Sequence, residues 1–247
     1  MKLAIGLGLQ DSVPGEAFSA HVHTIIEAQE LVSPGKDDAN VLLITPFDVV
    51  PHDNMRQMVV DIAVENGCDR LFFMDDDTLT PSGGITRLMD IMDKDERKPV
   101  AISGFYLRRG YPYTSVWSCQ KDDGWYQVTA DSGLHVIHSS GLGCCLIDLK
   151  WLKKNVPEPW FRMKQDDHKT LITDDGVLFE GIRKAGGVLL GDGAIQCAHV
   201  GRREIITSEN ANRLREIANV NMDRMKQANK SAESEIREPR FSVEKDK

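Results

Sequence analysis

No stretch of this 247-residue sequence is apolar for long enough to span a bilayer, which excludes a helical membrane protein. The opening MKLAIGLGLQDS is too brief for the apolar core of a signal peptide and lacks a cleavage site, so a cytoplasmic location is expected. Cysteine is scarce. Cys68, Cys119, Cys144, Cys145 and Cys197 make an odd count with no CxxC pair, which points to small buried thiols in a reducing compartment and away from a disulfide framework. Positive charge is in deficit too, with 30 Lys and Arg against 38 Asp and Glu. The formal charge of −8 argues against a general affinity for nucleic-acid backbones or anionic membrane surfaces. A dinucleotide fingerprint is also missing: Gly6 and Gly8 close a first apolar strand, but no third glycine and no acidic ribose partner follow.

What remains is an ordinary soluble composition, 41% hydrophobic and 28% charged, long enough for one full core. Its most informative stretch is LFFMDDDTLTP, Leu71 to Pro81. Four apolar residues in a row suit a strand buried on both faces, and Asp75, Asp76 and Asp77 then open at the carboxyl edge of the sheet. Alternation along a strand lets Asp75 and Asp77 converge while Asp76 points elsewhere. Such crowded carboxylates suit a hard cation, Mg²⁺ or Mn²⁺, held against phosphate oxygens. The competing reading is an acidic turn that caps the next helix near Pro81.

Around this stretch, apolar runs and helical patterns alternate. Strands are expected at Lys2–Leu9, Val41–Thr45, the Leu71 run, Pro99–Tyr106 and the end of HSSGLGCCLID. Helices are expected at Ala17–Leu31, about Asn54–Glu65 and Ile85–Met92. That order is the signature of a doubly wound α/β domain. His21 and His23 read as packing or surface residues. Leu107 to Asp131 concentrates Tyr111, Tyr113, Trp117, Trp125 and Tyr126 beside Arg108 and Arg109, either as the core of a small β-rich insertion or as a surface for stacking on sugar faces. Gly141 and Gly143 allow backbone to pass close to a substrate. Thr173 and Asp174 are candidate caps of a helix bearing Val177, Leu178, Phe179 and Ile182. VLLGDGAIQCAH then delivers His199 as strand, turn and strand. From Ile205 a helix is expected to about Met225, followed from Gln227 by a charged, mobile tail. These divide the chain into a domain of residues 1–204 and an extension of residues 205–247.

A buried strand closing in DxD, a later acidic pair opening a helix, and a strand-borne histidine occur in that order. Together with SGFYLRR from Ser103, SSGLGCCLID from Ser139, TDDGVLFEGIRKAGG from Thr173 and CAHVG from Cys197, they resemble the GT-A class of nucleotide-sugar glycosyltransferases. The resemblance implies a GT-A-type, Rossmann-like, mostly parallel sheet flanked by helices, with a small β-rich insertion and a C-terminal helical tail. It implies Asp77 as the direct ligand of Mn²⁺ or Mg²⁺, completed by His199, with Asp75 on the ribose or a metal-bound water and Asp76 beside it. Arg56, in Met55-Arg56-Gln57, stands where related enzymes carry an Ala-Arg-Asn, and Arg202 and Arg203 are expected to fold over the diphosphate. Asp175 is the expected general base with Asp174 as its neighbour, and displacement is expected to invert the anomeric centre. A UDP-sugar is the default donor. The acceptor stays open among a glycan, a lipid-linked sugar, a protein and a modified DNA base, and so does the oligomeric state. The departures are Asp-Asp where many relatives have Glu-Asp, and GLGLQDS in place of a Pro-Thr strand end.

Two other functions compete: a non-catalytic nucleotide-sugar or glycan binder of the same fold, and a metal-dependent phosphohydrolase. The phosphohydrolase needs more ligands than the sequence offers. A prenyl-synthase DDxxD fails, because its closing carboxylate falls on Leu79 or Thr80.

Overall fold

In the computed structural model the described residues are 1–9, 13–33, 40–46, 49, 52–121, 124–129, 132–165, 169, 171–201 and 205–236. The chain begins with strand β1 (Leu3–Gly8), helix α1 (Gly15–Val32), β2 (Val41–Ile44), α2 (His52–Glu65) and β3 (Arg70–Asp75). A short β4 (Thr78–Leu79), α3 (Gly84–Lys94) and β5 (Ala101–Phe105) follow. Next come the hairpin β6 (Ser118–Lys121) and β7 (Gly124–Gln127), then β8 (Leu134–Val136), β9 (Cys144–Asp148) and α4 (Leu149–Asn155). The last third holds β10 (Lys164–Gln165), β11 (Leu171–Ile172), α5 (Asp174–Lys184), β12 (Leu189–Gln196), β13 (Ala198–Val200), β14 (Ile205–Ile206) and α6 (Ala211–Ile236).

Seven strands form the central sheet in the order β2-β1-β3-β9-β5-β12-β8. Five run the same way, and only β9 and β8 run against them. Mostly parallel strands need both faces covered, which explains why Leu71, Phe72, Phe73 and Met74 are all buried. Right-handed crossovers put α1 and α2 on opposite faces, with α3 packed beside α1. Gly6 and Gly8 serve this packing. A Cβ on Gly6 would lie 2.5 Å from Val59, and one on Gly8 would collide with Met55, so both glycines let α2 sit close on β1.

Sheet order puts β9, from the CCLID run, between β3 and β5. Its two thiols, Cys144 and Cys145, are buried there, and all five cysteines are free. The Asp148 side chain accepts from Trp151 N at 2.9 Å and so caps the start of α4. Leu189 to Gln196, LLGDGAIQ, stays one strand, irregular after Asp192, where a turn was expected. The buried Asp192 carboxylate accepts from Ala194 N and pairs with Arg87 there.

The expected charged tail differs most. The α6 backbone runs on to Ile236, because KQANKSAES is rich in strong helix formers. Its first turns belong to the body, with Ala211 and Leu214 in the core. Residues 237–247 lie outside the described residues. Among the described residues no helix is long and apolar enough to cross a membrane.

Candidate active site

The β3 strand ends by lifting Asp75 to the carboxyl edge of the sheet, level with Gly8 of β1. The chain turns through Asp76 and Asp77 into β4, which pairs antiparallel with β13 so that His199 lies opposite Thr78. Val200 N donates to Asp77 O at 2.7 Å, closing the same ladder. This small β14-β13-β4 sheet brings residues 122 positions apart into contact: His199 Nε2 is 3.1 Å from Asp77 Oδ1. On the other side of the ring, His199 Nδ1–H donates to Leu107 O at 2.8 Å, which fixes the imidazole's orientation and aims Nε2 at the carboxylate.

Charge is concentrated here. Asp77 Oδ2 accepts from Arg109 Nη1 at 2.5 Å, so a guanidinium and an imidazole flank one carboxylate. Burial opposes ionisation of both Asp77 and His199. It is outweighed by their mutual hydrogen bond and charge, joined at Asp77 by Arg109. The net result lowers the carboxyl's pKa and raises the imidazole's.

A second cluster stands behind it. Arg56, near the start of α2, donates to Asp174 at 3.0 Å and lies 3.5 Å from Asp75, tying α2, α5 and β3 together. Asp174 is buried and committed to this pair. Its neighbour Asp175 faces a cleft of about 550 Å³, with Thr173 Oγ1 and Gly176 N donating to its carboxylate. Burial pushes the Asp175 pKa up, and Asp174 reinforces this. Thr173 and Arg56 offset it in part. Thr173 occupies the N-cap position of α5, but it directs its hydroxyl to Asp175 and makes no side-chain cap bond.

Of the residues expected from sequence, Asp75, Asp76, Asp77, Arg56 and His199 line one pocket of about 190 Å³. Asp75, Arg56, His199 and Asp175 line the adjoining cleft. Asp174 is buried behind it, and Arg202 and Arg203 lie outside the described residues. Asp75 is turned to Arg56, and no three His, Cys, Asp or Glu side chains among the described residues form a metal cage on their own. A divalent cation nevertheless suits the donor set. Asp77 and His199 offer one carboxylate oxygen and one imidazole nitrogen, the Arg109 guanidinium already stands in as a cation on the same carboxylate, and Mg²⁺-type ions commonly take only one or two carboxylates beside substrate phosphates.

Three residues escaped sequence reasoning. Tyr106 is buried, with its pKa pushed up by that burial. Its hydroxyl accepts from Gly143 N at 2.8 Å, and its ring meets His199 edge-on at 5.6 Å. Gly141 and Gly143 therefore make room for protein as much as for substrate. A Cβ on Gly143 would lie 2.5 Å from Thr78 Oγ1, 2.9 Å from Tyr106 OH and 3.1 Å from Asp75 Oδ2. His21, from α1, holds the aspartate turn from below, its Nε2–H shared between Asp75 O at 3.1 Å and Thr78 O at 3.2 Å. Arg109 was visible only as half of a basic pair; nothing local in SGFYLRR says that it reaches Asp77.

Comparison with solved structures speaks to the architecture. A197 from STIV superposes with a TM-score of 0.59 at 14% identity, over 84% of this chain and 94% of that one. GalNAc-T7, crystallised with UDP, GalNAc and Mn²⁺, superposes with a TM-score of 0.52 at 9% identity, over 82% of this chain. The fold is GT-A-like. The chain spans 44% of the GalNAc-T7 length. No family model matches the sequence, and no curated protein does.

The aromatic segment divides between core and surface in this GT-A-like frame. Trp117 is fully buried, donating to Gly104 O at 3.1 Å, while Tyr111 edges the cleft. Trp125 and Tyr126 sit on the β6–β7 hairpin, under Arg183 and Lys121 respectively, and neither lines the cleft.

Proposed function

We propose that this chain is a divalent-cation-dependent glycosyltransferase that moves a sugar from a nucleoside-diphosphate donor, UDP-linked by default, to an acceptor hydroxyl. The observation that carries the reading is the contact of Asp77 with His199 at 3.1 Å on the carboxyl edge of a GT-A-like sheet. In this reading Asp77 and His199 hold Mn²⁺ or Mg²⁺ against the diphosphate, with Asp75 and Asp76 beside it. When bound, the cation supplies stabilisation of the negative charge on the departing diphosphate.

The chain's own residues do the rest. Arg109 gives up Asp77 and turns its guanidinium toward the phosphates, with Arg202 and Arg203 as further candidates for that contact. Arg56 acts from behind: by pairing with Asp174 it keeps that carboxylate silent and leaves Asp175 as the only one of the two open to the cleft. Asp175, with its raised pKa, takes the acceptor's hydroxyl proton as the bond to the anomeric carbon forms. A base opposite the leaving diphosphate gives inversion. Residues 1–204 suffice for the chemistry on this account, with residues 205–247 as an extension that buttresses it.

The competing phosphohydrolase is disfavoured, because no further group of metal-binding side chains accompanies the pair among the described residues. A panel of UDP- and GDP-sugars with Mn²⁺ tests the proposal. Slow, cation-dependent release of UDP or GDP, abolished in Asp77→Asn, is expected. Hydrolysis of simple phosphate esters instead, or binding without turnover, contradicts it.

A further inference from the structure

The cleft in front of Asp175 has a positive excess on its wall. Its wall carries three guanidiniums, Arg56, Arg108 and Arg109, against two carboxylates, Asp75 and Asp175, in a protein whose formal charge is −8. Two of the guanidiniums are committed, Arg56 to Asp174 and Asp75, and Arg109 to Asp77. Arg108 is not: its exposed side chain takes part in no hydrogen bond or ion pair with the described residues. The rest of the wall includes neutral hydroxyls, among them Thr114 and Ser139.

Arg108 is also held in place. Its backbone N–H donates to Thr114 O at 2.8 Å, and Leu107 bridges Ser115, closing the neck of the loop. From α6, Arg215 donates to Pro112 O and Tyr113 O, each at 2.9 Å, while the Tyr111 hydroxyl donates to Asn219 at 2.7 Å. A planar cation with no partner among the described residues, on an anchored loop lining the cleft that Asp175 faces, is built to receive an oxyanion.

We infer that the acceptor is an anionic hydroxyl compound, with a phosphate or carboxylate group docked on Arg108 while its hydroxyl faces Asp175. This rests on the transferase reading and narrows it to acidic acceptors. Phosphate and carboxylate share the chemistry, so the test has an arm for each.

The experiment titrates glucose 6-phosphate, glucuronate and neutral glucose onto the full chain with Mn²⁺ and UDP present, followed by calorimetry. Wild-type protein is expected to bind at least one charged compound about tenfold or more tightly than glucose, matching a single charge-assisted contact. Arg108→Gln removes that preference, and Arg108→Lys restores part of it. The Arg108 side chain is exposed and bonds to none of the described residues, so neither variant is expected to shift Tm. Equal behaviour of charged and neutral compounds, including binding by none of them, overturns the inference, as does a preference that survives Arg108→Gln. Failure of the transferase reading shows separately, as absence of Mn²⁺-dependent UDP binding before any acceptor is added.

Discussion

At the scale of single residues, the site separates two adjacent carboxylates by what surrounds them. Asp174 is buried against Arg56, whereas Asp175 opens to the cleft with a pKa raised by burial. Asp175→Asn is therefore expected to abolish transfer while leaving Mn²⁺-dependent UDP binding intact. Because the folded protein disfavours the Asp175 charge, the same change is expected to leave Tm level or raise it in a thermal melt. The sign for pH follows. A base must be deprotonated, so the transfer rate falls on the acid side, and a raised pKa moves that fall to higher pH than an ordinary carboxylate gives. A pH–rate profile of kcat/KM checks this. Arg109 makes a third case. Its guanidinium holds Asp77 at 2.5 Å, so any cation on Asp77 competes with it. Arg109→Gln is expected to tighten Mn²⁺ binding severalfold when no nucleotide is present, read by calorimetry; unchanged affinity sinks the idea of competition.

Among elements, the critical join is the antiparallel pairing of β4 with β13, which seats His199 beside the aspartate turn. The turn is gripped on another side by Gly143, where Thr78, Tyr106 and Asp75 crowd the missing side chain. Gly143→Ala is expected to lower stability by about 1–3 kcal/mol and weaken Mn²⁺ binding. Gly15→Ala, at the open start of α1, serves as the control and is expected to be neutral or slightly stabilising, since a Cβ there meets nothing within 4 Å. Denaturant melts of both variants decide it.

Much of this was legible in the chain. The run Leu71–Met74 ahead of three aspartates announced a buried strand that ends in carboxylates, and helices α1, α2 and α3 followed from apolar periodicity within about two residues. The partners of that edge were not legible. That Arg109 reaches Asp77, that Tyr106 fills the space over Gly141 and Gly143, and that His21 holds the turn from below are long-range pairings decided by sheet order, which local patterns do not encode. The length of α6 was missed for another reason: a polar composition reads as tail, yet Ala, Lys, Gln and Glu are also good helix formers.

On the scale of the whole molecule, a GT-A-like sheet supplies the edge, and α6 braces the loop that carries Arg108 and Arg109 over it. Deleting residues 205–247 uncovers core positions that Ile206, Ala211 and Leu214 fill, so the truncated chain is expected to melt several degrees lower. The account stands or falls on whether the joined edge holds a cation with a diphosphate. Calorimetric titration of UDP, with and without Mn²⁺, onto wild-type protein, Asp77→Asn and His199→Ala measures this directly. The account predicts UDP binding that depends on Mn²⁺ in the wild type and is lost or weakened at least tenfold in both variants. UDP affinity indifferent to Mn²⁺, or retained when Asp77 and His199 are replaced, contradicts it.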